Sequence, residues 1–153
     1  EMDVPVPGRS APQPRLITES TFVDHGPAYP PDGRWLAFYS TRSGTYEVWR
    51  TSLDGKDVRQ LTFKKAFAGA PHWSPDGSLL AYDGRDRISD IEIVPAAGGA
   101  IRRVAATPEE EAVPSFSRDG QSLYFASNRN GRMQVWKSRL DGSEPRLLSA
   151  GEG

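Results

Sequence analysis

The sequence contains no cysteine. That excludes disulfide staples, zinc–thiolate centres and cysteine nucleophiles. Histidine is nearly absent: His25 and His72 are the only two, so an imidazole-based metal or acid–base centre has little to draw on. Neither sign of charge dominates, with 19 Lys and Arg against 20 Asp and Glu. Binding of nucleic acid through bulk positive charge is therefore not expected. No apolar run approaches the roughly 18 residues of a membrane-crossing helix, so no membrane contact by this segment is expected. What the sequence does have is turns, with 15 glycines and 13 prolines in 153 residues. Its 37% hydrophobic and 25% charged content is that of a globular chain rather than a disordered one.

The turns recur. Pro30-Pro31-Asp32-Gly33-Arg34-Trp35-Leu36-Ala37 matches Ser74-Pro75-Asp76-Gly77-Ser78-Leu79-Leu80-Ala81 and Ser117-Arg118-Asp119-Gly120-Gln121-Ser122-Leu123-Tyr124 without gaps. The steps from Asp32 to Asp76 and from Asp76 to Asp119 are 44 and 43 residues. Seventeen residues after each aspartate stand Trp49, Ile93 and Trp136, each closing an alternating stretch. Further on come Asp54-Gly55, Gly98-Gly99 and Asp141-Gly142, then Arg59, Arg103 and Arg146.

Each repeat reads as four short strands. Proline presets φ, aspartate bonds the local backbone and glycine takes the left-handed position, so the first two strands form a tight hairpin. The second strand is apolar on both faces, which predicts cover on both sides. The third alternates, and the fourth is short and partly charged, as suits an outer edge. Four strands per 43 or 44 residues is the arithmetic of a β-propeller blade. The fold class is therefore all-β, with three blades centred on 27–62, 71–105 and 114–149. Thr107-Pro108 suits the start of one helical turn between blades. Residues 1–13, with Pro5, Pro7 and Pro12, read as a linker or extended arm. Pro14-Arg15-Leu16-Ile17-Thr18 resembles Pro145-Arg146-Leu147-Leu148-Ser149, and Arg15 is in phase with Arg59, so 14–18 reads as a spare outer strand of a further blade.

The Pro-Asp-Gly and Arg-Asp-Gly turns, together with Tyr46-Glu47-Val48-Trp49, Asp90-Ile91-Glu92-Ile93-Val94-Pro95-Ala96-Ala97-Gly98-Gly99 and Ser127-Asn128-Arg129-Asn130-Gly131, resemble the TolB-type propeller repeat. The resemblance runs over about 14–149. It implies half of a six-bladed ring, a periplasmic location (with a cytoplasmic one as the alternative), a protein partner and no catalytic residues. The function expected is a non-catalytic scaffold for protein interaction or ligand sensing, one part of a larger protein or assembly. Two alternatives are a propeller fragment of a prolyl-oligopeptidase-like hydrolase and a metal-dependent lyase-type propeller enzyme.

No nucleophile elbow, phosphate loop or dinucleotide fingerprint occurs, and no cofactor, metal site or catalytic residue is expected. The turn aspartates lack the spacing of a calcium loop, and turn formation accounts for them. Blade-end loops are where propellers meet partners. The candidates there are Arg42, Arg85, Arg87 and Arg129, in the turns after the second strands, and His25 and His72, near repeat-equivalent positions of adjacent blades. Trp35, Trp49, Trp73 and Trp136 are assigned to packing. An arc of three blades leaves two raw ends. Two such arcs sum to six blades, so a homodimer is expected in which 14–18 completes the partner's third blade by strand exchange.

Overall fold

The computed structural model describes residues 15–105 and 107–149. The expected arm at 1–13 and Pro14 lie outside them. The turns fold as their chemistry requires. Gly33, Gly77 and Gly120 take φ of 62°, 71° and 69°. Their amides donate to the carbonyls of Pro30, Ser74 and Ser117 at 3.0, 2.9 and 2.9 Å. Each aspartate accepts from the amide two residues on: Arg34 to Asp32, Ser78 to Asp76 and Gln121 to Asp119. These bonds favour the charged carboxylate. At Asp76 the Ser74 hydroxyl and the Ser78 amide and hydroxyl push the pKa down to about 2.

The three turns join β1 (Asp24–Ala28) to β2 (Trp35–Ser40), β5 (Phe67–Trp73) to β6 (Leu79–Arg85), and β9 (Glu111–Phe116) to β10 (Ser122–Ser127). The outer strands are β3 (Glu47–Ser52), β4 (Val58–Gln60), β7 (Ser89–Pro95), β8 (Arg102–Ala105), β11 (Gln134–Arg139) and β12 (Arg146–Leu147). They form three four-stranded antiparallel sheets, ordered β1-β2-β3-β4, β5-β6-β7-β8 and β9-β10-β11-β12. These are three propeller blades, each packed on the next.

The second strand of blade 2 shows why it is apolar on both faces. Side chains alternate across a strand. Leu80 and Tyr82 therefore pack with Ala37, Val48 and Leu61 of blade 1. Ala81 packs with Phe116, Leu123, Phe125 and Trp136 of blade 3. Leu80, Ala81 and Tyr82 have no solvent exposure.

Each inner strand is also broken by a bulge. Gly26, Ala70 and Val113, at φ of 55°, 47° and 54°, each precede a proline: Pro27, Pro71 and Pro114. Proline supplies no amide hydrogen, so the ladder is interrupted there and the register shifts in all three blades.

Two expectations are corrected. Residues 15–18 form no strand, because they have no ladder partner among the described residues. Residues 107–110 form no helical turn; instead Thr107 donates from its hydroxyl to Glu111 and accepts from the Glu109 amide. The exchange of 14–18 into a partner's third blade also meets an occupied place, since β12 already pairs with β11.

Candidate protein-interaction site

The bulges bring the inner strands of all three blades to one surface. There they wall a groove of about 690 Å³. Blade 1 contributes Tyr29 and Pro31, blade 2 contributes Pro71, His72 and Trp73, and blade 3 contributes Val113, Pro114, Phe116 and Arg118. Trp73 is fixed by its indole N–H, which donates to the Ala28 carbonyl at 2.9 Å and ties blade 2 to blade 1. Tyr29 and Val113 stand out from the wall, 57% and 68% exposed. Exposed aromatic and aliphatic side chains on a rigid rim are suited to desolvated contact with another protein.

The histidines do not form a pair. His72 is in the groove wall. His25 instead stacks at 5.5 Å on Tyr39 and 6.0 Å on Tyr46, part of an aromatic cluster that includes Phe67. Among the described residues no group of three or more His, Asp or Glu side chains is arranged to hold a metal ion.

Arg42 and Arg129 lie in the turns after β2 and β10 as expected, with their guanidinium groups engaged within their own blades. Arg42 donates from Nη2 to both oxygens of Asp24, at 3.0 and 2.9 Å, and from Nε to Ser40 Oγ at 3.1 Å. Its guanidinium lies 5.0 Å over Phe38 and 5.2 Å over Trp49. Arg129 repeats this in blade 3, bonding Glu111 at 2.9 Å and Ser127 at 3.1 Å over Phe125 and Trp136. Both side chains are largely buried. Burial works against the Asp24 carboxylate, but hydrogen bonds from Ser40, Arg42 and Thr18 outweigh it and hold the pKa below the usual range.

Blade 2 has no such clasp. Ala68, Gly84 and Asp86 stand where Asp24, Ser40 and Arg42 stand in blade 1. Buried Glu92 takes over, accepting from Lys64 Nζ at 2.6 Å and from the Tyr82 hydroxyl at 2.7 Å. Burial, and then the charge of Glu92, push the Tyr82 hydroxyl well above its ordinary pKa. Arg103 closes the network outside, 2.7 Å from Asp86 and 3.4 Å from Asp90. Arg85 is the last residue of β6 rather than a turn residue, while Arg87 lies in the turn between β6 and β7; both are exposed, Arg85 lying 5.6 Å over Phe67.

Sequence reasoning missed Lys64, Glu92, Arg118 and Asp83. The signals for the first two were Gly84 and Asp86, where the repeat loses its Ser and Arg. Arg118 replaces the prolines Pro31 and Pro75 of the other turns. Asp83 lies at the seam of blades 2 and 3, 8% exposed, with Oδ1 lacking a hydrogen-bond partner. Burial pushes its pKa up to about 6, against the opposing pull of Arg85 and the Val113 amide.

A family model described as the TolB β-propeller domain matches residues 64–153, more than half of the chain. An uncharacterised protein of Agrobacterium fabrum is 40% identical over 78% of this chain and 41% of its own length. The Tol-Pal system protein TolB of Bordetella pertussis is 36% identical over 71% of this chain and 35% of its own length. The chain thus spans well under half the length of these relatives. Among solved structures, TolB from Acinetobacter baumannii superposes with a TM-score of 0.76 at 21% identity, over 90% of this chain and 35% of that one. A puromycin-hydrolyzing peptidase of Mycobacterium tuberculosis gives 0.76 at 22%, over 93% of this chain and 25% of that one. At such identities the superpositions speak for the fold alone. The family match and the repeat agree, and the chain belongs to the TolB β-propeller domain family.

Proposed function

We propose that this chain is a non-catalytic protein-interaction scaffold, acting outside the cytoplasm, that binds a protein partner in the groove walled by the three inner strands. The observation that carries this reading is the groove itself, with Tyr29 and Val113 presented on a rim that three blades hold rigid. Its polar side chains are few, and the described wall pairs no nucleophile with a base, which supports binding over turnover. The family resemblance supports the extracytoplasmic location. Arg85 and Arg87, exposed beyond the groove, provide a second, charge-steered contact.

The test is affinity capture from an extracytoplasmic extract, followed by titration of the purified captured protein. Tyr29→Ala and Val113→Asp should each weaken binding by tenfold or more, as buried anchors do. Arg87→Ala should weaken it less and mainly at low salt, and Lys56→Ala, on an outer turn, should leave it unchanged. Equal affinities for all four variants, or peptide turnover abolished by His72→Ala, would refute the scaffold reading.

A further inference from the structure

Arg42 and Arg129 each spend their charge on a carboxylate of their own blade. Arg50 does not. In β3 it stands opposite Ala37, which packs toward blade 2, so its side chain leaves the sheet on the side of the seam between blades 1 and 2. Its guanidinium lies 4.1 Å over the Trp35 ring, nearer than Arg42 lies over Phe38 or Arg129 over Trp136. Among the described residues no carboxylate forms an ion pair with it, and its Nε–H is buried without an acceptor. An arginine keeps its charge in a protein, so this donor cannot be relieved by losing a proton, and an unmet buried donor costs free energy.

The neighbour across the ladder adds to that cost. Arg50 stands directly opposite Arg59 of β4. Like charges in that relation repel. Burial, and then the charge of Arg59, hold the Arg50 pKa below its ordinary value. Asp57 pulls the other way, but it already bonds Arg59 Nε at 3.0 Å in a pair that water reaches. The fold does not require this arrangement. The step of 44 residues from Asp32 to Asp76 carries Arg50 to Val94, which is wholly buried. Blade 2 also places Glu92 opposite Arg103, where blade 1 places arginine opposite arginine. Blade 1 thus holds two cations on one face of its outer strands, where blade 2 holds an aliphatic side chain and an ion pair.

The geometry points to an anion-binding site formed by Arg50 and Arg59 and floored by Trp35, which takes a phosphate monoester group. Two guanidinium groups suit a dianion, and each presents paired N–H donors that match phosphate oxygens. Trp35 holds the Arg50 guanidinium by its face, so little side-chain freedom remains to be lost when the anion binds. The site lies on the third and fourth strands of blade 1. It shares no residue with the groove walled by the inner strands.

The test is calorimetric titration of the 153-residue chain with inorganic phosphate at about pH 8, where this probe is a dianion, against chloride at equal ionic strength. Phosphate should saturate one site with half-saturation at about 1 mM or below, and it should move the Arg50 Nε–H resonance in heteronuclear NMR. Arg50→Lys keeps the charge and loses the fork, and Arg59→Gln removes the second cation. Each should weaken binding tenfold or more. Arg34→Ala, which removes a solvated arginine beside the first turn of the same blade, should leave it unchanged. Arg59 is more than half exposed, so Arg59→Gln leaves the fold intact and carries the test should Arg50→Lys fail to fold. Unchanged affinity in Arg59→Gln would overturn the site and leave an adventitious ion only. The inference also falls if phosphate does not saturate, or if acetate binds as tightly as phosphate, because a single carboxylate would then be the ligand.

Discussion

Blades 1 and 3 close the ends of their sheets with one arginine each, whereas blade 2 does so with a lysine from the incoming linker. In the first pair the carboxylate sits at the start of the inner strand, at Asp24 or Glu111, and the cation follows the second strand. In blade 2 the carboxylate moves to the third strand, at Glu92, and the cation comes from Lys64, between blades. A repeat therefore preserves backbone geometry more strictly than it preserves the location of charge. What must be kept is that a buried carboxylate meets a cation, because an uncompensated buried charge is far costlier than a rearranged pair. Exposure, by contrast, sets blade 1 apart from the other two. Asp24 is partly solvated, while Glu92 and Glu111 are almost wholly buried.

The largest expected effect tests that difference. Lys64→Met leaves Glu92 with half-exposed Arg103 and the Tyr82 hydroxyl, and should cost about 3–4 kcal/mol in urea unfolding. Arg42→Met should cost less, about 1–2 kcal/mol, because water can reach Asp24. If Arg42→Met proves the costlier change, the contrast between the blades is wrong. The double variant Lys64→Met, Glu92→Leu should recover much of the loss.

The next effect concerns pH. The folded pKa of Asp83, about 6, lies above its ordinary value of 3.8. The folded state therefore holds the proton more tightly, and this contribution is present below about pH 4 and lost as pH rises through about 6. A shift of this size corresponds to roughly 3 kcal/mol at most. Asp83→Asn should raise stability at pH 7 by about 1–3 kcal/mol and flatten the slope between pH 4 and 6. The clasp carboxylate Asp24, with its lowered pKa, gives the opposite slope: its contribution is present above about pH 4 and lost on further acidification. Thermal melts from pH 3 to 7 on Asp83→Asn and Asp24→Asn separate the two.

A smaller effect compares the bulges. Blade 1 places glycine at the left-handed position, while blades 2 and 3 place Ala70 and Val113 there. Left-handed backbone costs a β-branched residue the most, and Val113 is mostly exposed, so it loses little burial on truncation. Val113→Gly should stabilise the chain by about 1 kcal/mol and Ala70→Gly by less, read as shifts in denaturation midpoint. Smallest of all, Arg34→Ala breaks only a solvated pair with Asp32 and should change stability by less than about 0.5 kcal/mol.

The hairpins were legible in the sequence because a Pro-Asp-Gly turn is built from neighbouring residues, and the chemistry of Asp76 with Ser74 and Ser78 needs no distant partner. The two-sided burial of β6 was legible too, since an apolar run bounded by turns has few alternatives in a repeat. The clasp arginines lie in the expected turns, but their internal pairing was not legible. Arg42 and Asp24 lie 18 positions apart, and only the pairing of β1 with β2 brings guanidinium and carboxylate together. The groove was not legible either, because no single repeat contains it.

By itself the sequence determined the number of blades, the order of strands within each and the family, because all of these follow from local turn chemistry, period-two alternation and a repeat step. Tertiary structure alone decided which arginines are spent internally, that Lys64 answers Glu92, that Asp83 is stranded at a seam, and that 15–18 lies against the outer turn of blade 1 without a ladder. Each of these depends on what another blade presents across a buried interface, where the free energy of a polar group is set by its partner and not by its place in the chain.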